Sequence, residues 1–259
     1  MSDNTKSVTA DAYAEVRKYQ NWAKRALWVS AIIIVITVSY SFLSANYKIV
    51  PKSLKDVAIA LQIFGLLVYH ALSAYSSVLH YESGKKHFPD LIDNSFGSNL
   101  AVVQSSNYYR SIEGKQGAYQ LAYNTTENCY FTMRNMQIMT SGMVIELILW
   151  IAFFVVAILL NHNELFVTAI RITIPIVLFK KVAVFIYARI QIQNLFTRLD
   201  SLMRHLPEDK EFFAESLDIL LHYETLIAWL NFPTSEEVYL SHKDEFNEEF
   251  AKIAKKFKV

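Results

Sequence analysis

The sequence predicts an all-α integral membrane protein, with four transmembrane helices in two hairpins whose ends extend into a cytoplasmic helical bundle. Three observations carry this. Hydrophobic residues make up 53% of the 259 and charged ones only 19%, a balance that suits several spans joined to polar helices better than a globular domain. Apolar runs recur at the roughly 20 residues that cross a hydrocarbon core of about 30 Å. Glycine and proline number only six and five, which favours long helices over sheets or flexible linkers. Five segments follow: 1–25, a cytoplasmic N-terminal helix; 26–79, the first hairpin; 80–141, a cytoplasmic loop and helix; 142–187, the second hairpin; and 188–259, a cytoplasmic helical tail.

Asp11 to Arg25 contains helix formers and neither Gly nor Pro, with Thr9 as the expected cap. It leads into the first span, Ala26–Leu43, flanked by Trp22, Trp28 and Tyr47, aromatic residues of the kind that sit at headgroup level. The polar stretch ahead of this run and the lack of a small-residue cleavage motif after it argue against a cleaved leader. Pro51 marks a turn, and Val57–Leu79 crosses back with Gln62 and His70 as its polar members. His70 reads either as a proton-sensitive group or as a histidine hydrogen-bonded between helices. This helix is expected to reach His87 and stop at Pro89.

The segment from Pro89 to Gly117 has no repeating period and is rich in Asp, Asn, Ser and Tyr. Irregular polar loops held by rigid helices are where binding residues concentrate. Asp93, Asn94, Tyr108, Tyr109, Arg110 and Lys115 are therefore the candidate sensing residues, the tyrosines to stack on a ring and the cations to meet phosphate. The competing reading is a crossover whose aromatic side chains simply pack. After Gly117, the spacing of Leu121, Ala122, Thr125, Cys129, Met133 and Met136 predicts a helix leading into the third span.

Gly142–Asn161 is that span, with Glu146 as its one charge; the chain turns at Asn161–Glu164 and returns through Leu165–Ile186. The return carries Arg171, Lys180 and Lys181, with Pro175 mid-span. In an antiparallel hairpin, residues equally far from the turn share a depth, which sets Glu146 level with Lys180 and beside Lys181. A lone charge in hydrocarbon costs roughly 2.5–3.5 kcal/mol on insertion scales, so such groups pair, snorkel or line water. Arg171 lies level with Val155 and has no carboxylate there. Glu146, Arg171, Lys180, Lys181, His70 and Gln62 form the candidate intramembrane polar set, with snorkelling of the cations to the headgroups as the alternative. Beyond the span, Ile190, Leu195, Leu199, Leu202 and Leu206 mark an amphipathic continuation. Pro207–Asp209 opens a helix with Phe212, Phe213, Leu217, Leu220 and Leu221 facing inward. Thr234 and Glu237 form a capping-box pattern before a last helix with Phe246, Phe250, Ile253 and Phe257 in one stripe.

Lys and Arg near the span ends divide ten against three, with Arg17, Lys24, Lys85, Arg134 and Arg189 among the ten and Lys48, Lys52 and Lys55 opposite. This places both termini and the central loop in the cytoplasm. The Asn124-Thr-Thr sequon then never meets a lumen, and the single cysteine, Cys129, suits a reducing compartment. A net charge of +1 gives no field for DNA or RNA. Metal-protease, redox, nucleophile-elbow and P-loop motifs are absent, so neither an enzyme nor a metal or other cofactor is expected. His80 and His87 flank Glu82 as a weak metal-ligand pattern, with solvated surface residues as the plainer reading.

The order of parts carries a resemblance. A charged helix leads into a hairpin; KKHFPDLIDNSFGSNL follows the second span; a second hairpin and a helical tail with a late aromatic-proline break, WLNFPTSEEVY, complete the chain. This resembles the four-transmembrane pore-forming effectors of bacterial cyclic-oligonucleotide (CBASS-type) anti-phage defence. The resemblance implies a homo-oligomer in the inner membrane that permeabilises the bilayer on an infection signal, with a cyclic oligonucleotide as the implied messenger. The competing functions are a constitutive small channel or transporter, and a membrane scaffold for a soluble partner.

Overall fold

The computed structural model describes residues 8–47, 52–102, 105, 112, 115–160, 165–230 and 235–258, and the side chains of 13–37, 56–102, 105, 112, 115–156, 176–230 and 235–258. Among them the protein is all-α. Six helices run in order: α1 Val8–Tyr47, α2 Lys52–Phe96, α3 Ala118–Leu160, α4 Leu165–His205, α5 Asp209–Leu230 and α6 Glu236–Ala254. Two of them, α2 and α3, are long and apolar enough to cross a membrane. The other expected spans, Ala26–Leu43 and Leu165–Ile186, extend onto residues whose side chains lie outside the described ones.

The α2 helix does not stop at Pro89; it passes through the proline and ends at Phe96. A proline inside a helix forfeits one hydrogen bond and crowds the preceding turn. Here the turns beyond it are anchored from both sides. Leu91 is fully buried against Leu121 and Leu220, with Phe88 and Ile92 packed around them, and the Asp90 and Asp93 carboxylates are bonded to the loop that follows. Gly97, at φ +67°, supplies the left-handed residue that ends the helix, and its amide donates to Asp93 O at 2.8 Å. Gly117, at φ +80°, donates to Ser95 O at 2.8 Å, which ties the end of α2 to the start of α3.

The helices divide between two compact units. One comprises Met1–Val16, Ser77–Thr140 and Phe185–Val259. At its centre the first turns of α3 are buried all round: every residue from Tyr119 to Glu127 is buried. A helix enclosed on all sides must satisfy its polar side chains internally. Thr125 and Thr126 donate to the Leu121 and Ala122 carbonyls, and Gln120 Nε2 donates to Asn124 Oδ1, whose amide reaches Ser95 Oγ. The sequon asparagine is thus a core residue. An aromatic cluster joins α3, α4 and α6, with Phe250 at 5.6 Å from Tyr123, 5.7 Å from Tyr130 and 5.9 Å from Phe131 between ring centroids. Tyr130 also contacts Phe196 of α4.

Three details of the tail differ from the pattern read in the sequence. On α4 the buried stripe is Ala188, Ile192, Leu195, Leu199, Leu202 and Met203, while Ile190 is exposed. Leu206 lies beyond the helix at φ +44°; a residue before proline is disfavoured in the α region, which stops the helix at His205. On α5 the inward face is Phe212, Ser216, Ile219, Leu220 and Tyr223, and Phe213 and Leu221 are exposed. Ser216 is tolerated there because its hydroxyl donates to Phe212 O at 2.7 Å. The N-cap of α6 is Ser235, whose side chain accepts from Val238 N, one residue later than the expected Thr234, which lies outside the described residues.

The second unit comprises Arg17–Ser76 and Ser141–Val184. Its inward positions include Ala31, Ile34, Leu66, Leu147, Leu178 and Val182. Large apolar side chains point outward from every helix, among them Ile32, Phe64, Leu149 and Phe179. Gly65 permits the closest approach: a Cβ there would lie 2.2 Å from Ser30 Oγ. Ser30 and Thr37 are buried with their hydroxyls returned to Ala26 O and Ile33 O of their own helix, the usual way a hydroxyl is carried in an apolar setting.

Candidate functional site

The intramembrane polar set belongs to the second unit. Glu146 is half-buried and interacts electrostatically with Lys181, with the Lys24 ammonium of α1 as the third charge. Lys180 and Lys181 are exposed. His70 is exposed on α2 and packs edge-on against Tyr69 at 5.1 Å, so it is not a histidine clasped between helices. Gln62 is 1% exposed, and neither its Oε1 nor its Nε2 has a hydrogen-bond partner. A buried amide left so is costly, about 1–3 kcal/mol per group. Arg171 belongs to α4, and its side chain lies outside the described residues.

The loop residues belong to the first unit. Asp93 is buried, and its carboxylate accepts from Ser98 Oγ at 2.6 Å, from Leu100 N at 2.8 and 2.9 Å, and from Ala101 N at 2.7 Å. Asp90, which the sequence pattern did not single out, does the same one turn earlier. It is fully buried and accepts from Ser105 N at 2.8 Å and Ser105 Oγ at 2.7 Å. Asn94 donates to the Asp90 carbonyl at 2.7 Å. These acids, spaced three apart, wrap the chain after α2 as an N–H-binding spine. A ligand at Asp93 would have to displace those amides. Lys115 lies over the Tyr119 ring at 5.0 Å. Tyr108, Tyr109 and Arg110 lie outside the described residues.

The histidine pattern near Glu82 separates. Glu82 holds Lys85 at 2.7 Å on the surface. His80 is buried with Nε2 3.0 Å from Ile227 O of α5, and His87 sits 3.4 Å from Glu224 of the same helix. Neither histidine is a solvated surface residue. No group of three metal-ligating side chains is found among the described residues. Glu224 stands alone as an acid within the apolar run LLHYETLIAWL. That isolation was the one sequence signal for its inward role.

No family model, curated protein or solved structure matches the chain.

Proposed function

We propose that the chain is a membrane effector that oligomerises in the bacterial inner membrane and permeabilises it in response to a signal, in anti-phage defence. The observation that carries the reading is how little of the apolar surface one chain covers. Only 11% of the apolar window in α2 and 6% of that in α3 is buried. In water such a surface would drive aggregation; in a bilayer, lipid and further copies of the chain cover it. The finer reading is four spans with both termini in the cytoplasm, supported by the Lys and Arg asymmetry. Four packed spans leave little interior, so a passage needs several protomers, and assembly is the switch. Glu146, Lys180, Lys181, Arg171 and Gln62 are the groups that would line or gate it. A cyclic oligonucleotide as messenger rests on the resemblance in the order of parts.

Inducible expression with a membrane-potential dye tests this. Depolarisation and growth arrest on supplying the signal, with a larger particle in detergent, are expected. Conductance without toxicity would replace the effector by a constitutive channel, and silence with and without cyclic nucleotides would overturn it. Arg171→Leu should weaken the depolarisation several-fold; parent-level activity would remove Arg171 from the permeation path.

A further inference from the structure

Two contacts within the first unit hold the last turn of α5. His80 Nε2 lies 3.0 Å from Ile227 O, and the Trp229 ring meets Tyr187 edge-on with centroids 5.6 Å apart. His80 directly follows the expected end of the second span, Leu79, and Tyr187 that of the fourth, Ile186. One turn of a tail helix is therefore fixed beside the first residue past a span on two different helices. Tyr187 and Trp229 are nonetheless 52% and 51% exposed, and Ile190 is exposed as well. The exposed side of α4 explains what these residues meet. Ile176, Phe179, Ala183, Tyr187 and Ile190 recur at intervals of three and four, which puts them in one stripe of the helix, and all are exposed. The same stripe continues as Asn194, Thr197 and Ser201, exposed in turn. It thus passes from aliphatic and Phe side chains, through Tyr, to amides and hydroxyls, in the order that hydrocarbon, headgroups and water require.

We propose that the last turn of α5 is an interfacial anchor: Trp229, with Tyr187 and Ile190 beside it, seats in the headgroup layer of the bilayer. A tryptophan ring has a large apolar body and one N–H donor, which suits the boundary between acyl chains and glycerol carbonyls better than either side of it. The occupant is lipid because the patch falls where the exposed stripe of α4 changes from apolar to polar, and Tyr187 belongs to that stripe. The anchor gives the tail, which carries no expected span of its own, a direct hold on the membrane through α5. This rests on the membrane reading above and adds to it a surface that no span supplies.

The test is fluorescence on the full chain in vesicles of phosphatidylethanolamine and phosphatidylglycerol. Combining Trp22→Phe, Trp28→Phe and Trp150→Phe leaves Trp229 as the one tryptophan of the four. Lipids brominated near the headgroup end of the acyl chain should quench it roughly twofold more than lipids brominated near the methyl end, as for a side chain about 5–10 Å into the headgroup–acyl boundary. A companion variant that keeps only Trp150, inside the expected third span, tests the membrane reading by itself. Quenching of Trp150 but not of Trp229 would overturn the anchor alone, and quenching of neither would overturn both. Trp229 shielded from lipid bromine and from aqueous acrylamide alike would mean that a second copy of the chain covers the patch, and stronger quenching from the methyl end would place the ring in hydrocarbon; either result overturns the proposal. If the triple replacement fails to fold, the emission lost between the parent and Trp229→Phe carries the same test, and a difference insensitive to headgroup-end bromine would count against the anchor.

Discussion

Replacing Asp93 by Ala separates a wall-building role for this acid from a ligand-sensing one. The substitution strips three donors of their acceptor at once: the Ser98 hydroxyl and the amides of Leu100 and Ala101. A hydrogen bond to a charged group contributes about 1.5–3 kcal/mol when lost inside a protein. Leu100 is 65% exposed, so water takes over part of that loss. The net cost is about 2–4 kcal/mol for the loop, which corresponds to a rise of roughly 30- to 700-fold in local opening. Hydrogen exchange read by mass spectrometry on the detergent-solubilised protein checks this at residues 98–102, with Asp93→Asn as the milder variant that keeps one acceptor oxygen. Unchanged exchange in Asp93→Ala would refute the account of Asp93 as the loop's anchor. If the signal response vanished at the same time, the acid would instead be a direct ligand contact.

Phe250→Ala removes a fully buried ring that touches three other aromatic residues and should cost about 3–5 kcal/mol, seen as a lower melting temperature with helicity retained below it. Gly65→Ala forces a Cβ to 2.2 Å from Ser30 Oγ and should destabilise by about 1–3 kcal/mol; adding Ser30→Ala should restore most of it, and a strictly additive double mutant would contradict the close approach. Tyr13 is pushed up to about 12 from 10.0, by burial first and the Glu224 charge second, and Tyr223 is raised as well, chiefly by burial. The folded state therefore keeps protons that the unfolded chain has released once pH passes about 10, so stability should fall as pH rises from about 10 to about 12. Phenolate absorbance at 295 nm followed beside helicity checks it; full tyrosine ionisation with unchanged helicity below pH 11 would contradict it.

Helix identity was legible because run length and the scarcity of Gly and Pro act locally. The apolar windows of α2 and α3 and the Phe246–Phe250 stripe of α6 needed no knowledge of the partner surface. Pro89 was misleading, since what holds the helix through it comes from Leu121 and Leu220, far along the chain. The phase of α5 is hidden in the sequence for a related reason. Phe213 and Leu221 are as apolar as Phe212 and Leu220, and only the packing of neighbours decides which stripe turns inward. Asp93 and Asn94 read as sensing candidates, but polarity in a loop does not distinguish an acid that binds its own amides from one that awaits a ligand. The pairing of Tyr187 with Trp229 is invisible in the sequence because the two rings come from different helices.

Cys129 is the chain's sole sulfur nucleophile, and it sits fully enclosed in α3 amid the packed first unit. A maleimide added outside therefore has nothing to react with until α3 parts from its neighbours, and the rate of its uptake is a clock for that separation. The protein thus carries its own reporter of breathing within the first unit, readable by mass alone and without a single engineered residue.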